Sequence, residues 1–109
     1  MRSALMTTAL CLGLAAGAAA QDAKATKGQQ LFTDQKCDLC HSVGDKGNKK
    51  GPLDGVASRL SADEMRSWIT DAKAMTVKTK ATRKPEMKAY TLPADDVDAL
   101  VAYMTTLKK

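Results

Sequence analysis

Residues 36–42 read Lys-Cys-Asp-Leu-Cys-His-Ser and hold two of the three cysteines and the only histidine of the chain. Two thiols and an imidazole at this spacing can serve as a redox dithiol, as part of a zinc site, or as the point where a cofactor is tied down covalently. A helical turn over 37–41 puts Cys37, Cys40 and His41 at i, i+3 and i+4, on one side of the turn. A thioredoxin-like dithiol calls for a βαβ setting, and strand signals are nearly absent from this chain. Structural zinc calls for four ligands, usually in two pairs, and no second pair follows Cys40. The C-x-x-C-H spacing is that of covalent haem attachment: two thiols for the two vinyl groups, and an imidazole for the iron.

The elements that must carry this turn begin after a leader. Met1 and Arg2 make a positive start, Ala4 to Ala16 is an apolar run, and Ala18, Ala19 and Ala20 are small residues before Gln21. This reads as a secretory signal over residues 1–20, cleaved after Ala20, and export to the periplasm or another exported location follows from it. The run is shorter than the roughly 20 residues needed to span a bilayer, so no membrane anchor is expected. Cys11 leaves with the leader.

Residues 21–109 then form one small domain whose aromatic residues are Phe32, Trp68, Tyr90 and Tyr103. Domains of this size are marginal unless something besides side chains fills the core. A disulfide between Cys37 and Cys40 closes almost no loop and staples nothing distant. A bound macrocycle would supply what is missing. Without Arg2 the chain has 16 basic and 12 acidic residues, a formal +4. No basic stripe interleaved with stacking aromatics is present, so nucleic acid is not an expected partner.

The fold class is all-α. A first helix is expected from about Ala25 to Thr33, running or kinking into the cysteine segment. Residues 42–58, with Gly44, Gly47, Gly51, Pro52 and Gly55, read as loop. A second helix starts at Ser61, where Glu64 completes a capping box, with Met65, Trp68 and Ile69 on its apolar face. Thr76 to Leu92 again reads as loop. The last helix starts near Pro93, with Asp95, Asp96 and Asp98 near its positive end and Val97, Leu100, Val101, Met104 and Leu107 in one stripe.

The segments Gly-Gln-Gln-Leu-Phe at 28–32, Cys-Asp-Leu-Cys-His at 37–41, Gly-Pro-Leu-Asp-Gly-Val at 51–56, Met-Lys-Ala-Tyr at 87–90 and Ala-Leu-Val-Ala-Tyr-Met at 99–104 occur in an order that resembles the class I c-type cytochromes. The resemblance implies a small all-α fold wrapped around one haem c. It implies that Cys37 and Cys40 form the thioethers, that His41 is the proximal iron ligand, and that a methionine of the late loop is the distal one. No second histidine is available, and Met65 and Met104 lie on apolar helical faces. Met75 and Met87 remain as loop candidates. Met87, after Pro85 and before Tyr90, stands where the family's methionine segment lies. Lys88 departs from the proline often found next. Pro52 resembles the family position whose carbonyl accepts the other ring N–H of the histidine, a bond that fixes the ring, though a turn proline there reads as well. Gly28 and Tyr103 resemble a close helix crossing, with Phe32 one turn along. Trp68 reads as packing.

The function expected is that of a soluble, exported, monomeric mono-haem electron carrier, not an enzyme, shuttling single electrons between larger redox proteins. Lys78, Lys80, Arg83, Lys84 and Lys88 form a basic cluster that is either a solvated loop or a steering surface for acidic redox partners. Two other functions stay open: a haem enzyme or gas-binding protein with an open sixth site, which the Lys88 departure keeps in view, and a dedicated small subunit of an oxidoreductase complex.

Overall fold

Two helices, α1 (Leu12–Asp34) and α4 (Ala94–Met104), make the most extensive contact between elements. The computed structural model describes residues 12–109. The leader expected over 1–20 lies partly on residues 1–11, outside the described residues, as does Cys11. Residues 12–20 form the beginning of α1, which is therefore much longer than the Ala25–Thr33 expected. Its sequence explains the extension: residues 12–27 are rich in alanine, the best helix former, and no proline occurs before Pro52.

The two helices meet at Gly28. A methyl group there would overlap the Ala99 carbonyl and the Tyr103 Cβ, so only glycine permits this approach. One turn along, the rings of Phe32 and Tyr103 meet edge to face, 5.9 Å apart and inclined by 63°. Lys27 pairs with Asp96 at 2.9 Å across the same contact. The stripe read on α4 is the core face: Val97, Leu100, Val101 and Met104 are buried against Phe32 and against Met65 and Ile69.

Helix α2 (Ala62–Thr70) starts where the capping box puts it. The Ser61 hydroxyl accepts from the Glu64 N–H at 3.1 Å, and the Ser61 N–H donates to the Glu64 carboxylate at 3.0 Å. A further helix, α3 (Ala72–Thr79), follows directly. It corrects the loop expected from Thr76 onward. No glycine or proline interrupts residues 62–79, the Thr76 and Thr79 hydroxyls donate back to the Ala72 and Met75 carbonyls at 2.9 and 2.7 Å, and Ala72 and Met75 bury one side. α3 stops at Lys80, which takes the left-handed conformation with φ 56°.

The segment read as loop after the cysteines contains the described residues' only sheet. β1 (Ser42–Val43) and β2 (Lys46–Gly47) are antiparallel, with Ser42 opposite Gly47 and Val43 opposite Lys46. Two-residue strands carry too little alternation to be read from sequence. Further on, Ala57 N–H donates to the Leu107 carbonyl at 2.9 Å, which ties this segment to the chain end after α4. The architecture is mostly helical, as expected.

Candidate cofactor site

Helix α1 ends one turn before the cysteines because Lys36 adopts φ 59°, a left-handed conformation that no helix continues through. A short 3₁₀ turn, Cys37–Leu39, then redirects the chain. The His41 N–H closes it by donating to the Cys37 carbonyl at 2.9 Å. Cys37, Cys40 and His41 are thus brought onto one turn, as their spacing requires. The thiols are not joined in a disulfide. Cys37 is half-buried against the core, and burial, then the Asp38 charge, pushes its thiol up to about 11. Cys40 is exposed.

The histidine ring is held from behind. Its Nδ1 lies 3.0 Å from the Gly51 carbonyl oxygen. A carbonyl only accepts, so Nδ1 carries the hydrogen and Nε2 keeps its lone pair. Burial holds His41 below the ordinary histidine range, partly offset by the Gly51 bond and reinforced by the Arg83 charge. The ring is therefore neutral at pH 7, the form in which imidazole binds metal.

The acceptor corrects the reading of Pro52. The Ser42 N–H donates to the Gly51 carbonyl at 3.1 Å and the Leu53 N–H to the Ser42 carbonyl at 2.9 Å, so these bonds bracket Pro52 and aim the carbonyl before it at His41. Pro52 itself is exposed and shapes the turn. Two glycines let backbone crowd this turn: a methyl at Gly47, where φ is +97°, would overlap the His41 carbonyl, and one at Gly51 would overlap the Cys40 carbonyl and the Arg83 guanidinium. From sequence, Gly51 reads only as a loop glycine before Pro52 and Arg83 only as one of the basic cluster, neither with a role at the histidine. The Gly-Pro pair and the basic cluster were their only signals.

The loop between α3 and α4 closes over the same region. The Tyr90 N–H donates to the Ile69 carbonyl at 2.8 Å. The Tyr90 phenol is held above the ordinary tyrosine range by burial first and then by Cys37 and Cys40. Met87, three residues earlier, is half-buried on this loop. Met75 is not a loop residue: it is buried in α3, 6% exposed, among the core helices. Trp68 is half-buried on α2 and stands outside the core cluster.

These residues fit a covalently attached haem: two unpaired thiols on one turn, a neutral imidazole with Nε2 unengaged, and apolar and aromatic groups around them. Among the described residues no group of three or more histidine, cysteine or acidic side chains is placed to hold a bare metal ion. Nor is any described helix long and apolar enough to cross a membrane.

Comparison with curated proteins and with solved structures found no significant match. The sequence model of one family, described as Cytochrome c, matches residues 25–108, from within α1 to the chain end beyond α4. The match takes in the cysteine turn, the Gly51 turn and the late loop together. The chain therefore belongs to the cytochrome c family, whose members are haem-binding electron carriers, and its cofactor is covalently bound haem c.

Proposed function

We propose that this chain is an exported carrier of single electrons between larger redox proteins, with haem c held by Cys37 and Cys40 and ligated by His41 and Met87. The observation that carries the reading is the His41 Nδ1 to Gly51 bond. It fixes the ring and makes Nε2 the better donor. Haem c supplies the one-electron ferric/ferrous couple. The chain's own residues set its terms: a backbone carbonyl keeps the imidazole from rotating, Met87 offers a thioether that favours the reduced form, and Tyr90 and the helix cores exclude water.

With His41 and Met87 both holding the iron, no position would be left for substrate, which would separate a carrier from a haem enzyme. Lys78, Lys80, Lys84 and Lys88 are exposed on or beside the late loop, and a positive surface there suits acidic docking faces on the partners. Lys84 is partly engaged, since it pairs with Glu86 at 2.9 Å. The expected leader over residues 1–20, cleaved after Ala20, supports work in the periplasm.

Visible absorption spectra of both oxidation states, with and without carbon monoxide, test this reading. Low-spin spectra unaltered by carbon monoxide are expected. A ferrous form that binds carbon monoxide readily would replace the carrier with an open-site haem protein.

A further inference from the structure

Arg83 stands in the basic cluster but is used differently from its neighbours. Its guanidinium lies against Gly51, so closely that a methyl group there would overlap Nη1 and Cζ. Lys84 next to it has Glu86 as partner, whereas among the described residues no carboxylate lies within ion-pair range of Arg83. Gly51 is the residue whose carbonyl holds His41, so the guanidinium stands at the turn behind that ring. One side chain thus reaches from the loop of Met87 to the turn behind the histidine.

We propose that Arg83 is a positioning residue that pins the Met87 loop to the Gly51 turn and, by its fixed charge beside His41, raises the reduction potential of the haem. The inference rests on the reading of His41 as an iron ligand. Oxidation adds one positive charge at the iron, and a nearby cation opposes that charge. The flat fork of Arg83 can lie on a glycine, where no Cβ intervenes. Much of Arg83 remains in solvent, which weakens the effect relative to a buried charge, yet its closeness to the ligand distinguishes it from the loop lysines.

The test is the midpoint potential of the haem-loaded protein for wild type, Arg83→Gln, Arg83→Lys and the surface control Lys84→Gln, at low and high salt. Arg83→Gln is expected to lower the potential further than Lys84→Gln does. The difference should survive high salt, and Arg83→Lys should recover part of it. Spectra of both oxidation states should keep the low-spin form, showing that the ligands are in place. A potential for Arg83→Gln equal to wild type, or no lower than that of Lys84→Gln, overturns the proposal. If the glutamine variant does not mature, Arg83→Met, neutral and similar in length, must meet the same criterion. A low-spin spectrum that survives His41→Ala would overturn the ligand assignment itself, a failure distinct from that of Arg83.

Discussion

The Nδ1 of His41 and the carbonyl oxygen of Gly51 lie 3.0 Å apart across ten residues of sequence, and the same oxygen accepts from the Ser42 N–H at 3.1 Å. One backbone atom therefore both orients the histidine and anchors the strand that follows it. Because the acceptor is main chain and precedes Pro52, Pro52→Ala is expected to keep the low-spin spectrum and the potential close to wild type. Gly51→Val, which drives a side chain into the Cys40 carbonyl and the Arg83 guanidinium, is expected to yield little haem-loaded protein. Haem content per chain and the visible spectrum measure both.

Met87→Ala should abolish the weak near-infrared sulfur-to-iron band, lower the potential and admit carbon monoxide to the ferrous form. Met75→Ala should leave that band in place. It should instead cost about 2–5 kcal/mol of stability, the usual range for truncating a buried methionine, because Met75 packs in α3. Spectra and denaturant melts of the two variants separate the roles.

Gly28→Ala introduces a methyl where the Ala99 carbonyl and Tyr103 Cβ already stand. Alanine favours helix by about 1 kcal/mol over glycine in isolation, but overpacking of this kind costs about 1–3 kcal/mol or more. Backbone cannot move aside as a flexible side chain can, so a net loss is expected. A lowered melting temperature with an unaltered haem spectrum is the outcome to look for.

The capping box gives an acid dependence. Glu64 is held below its ordinary value of 4.5 by the Ser61 N–H first and then by the Ser61 hydroxyl. A carboxyl whose folded pKa is depressed contributes stability above its unfolded pKa and loses it as pH falls through the folded one. Glu64→Gln should thus lose less stability than wild type on acidification below about 4.5, the unfolded-state value for glutamate. Ser61→Ala should cost about 1 kcal/mol at neutral pH. Thermal melts at stepped pH measure both.

Electron transfer to an acidic partner should slow as salt rises, since surface fields are screened over about 8 Å at physiological ionic strength. Reversing Lys80 and Lys88 together should slow it in the same way, more than reversing Lys84, whose charge is shared with Glu86. Reversing Lys108 and Lys109 should matter less. Stopped-flow rates across a salt series are the measurement, and rates indifferent to salt and to loop charge would leave the cluster an ordinary solvated surface.

What the sequence by itself determined was whatever depends on spacing along the chain. The Cys37, Cys40 and His41 turn, the Ser61 and Glu64 box and the apolar stripe of α4 are all set by neighbours a few residues apart, where helical geometry leaves little choice. The close crossing at Gly28 was legible too, through the family resemblance. Tertiary structure alone decided contacts between residues far apart in sequence. Which carbonyl meets His41 turns on a register one residue wide, and Ser42 bracketing Pro52 selected Gly51. Met75 became a core residue because α3 continues past Thr76, where Pro85 and the dense charges of the following stretch suggested loop, with Ala72 and Met75 buried on one side. Arg83, though largely in solvent, reaches Gly51 because the late loop folds back over the histidine turn, a closure that no local pattern encodes.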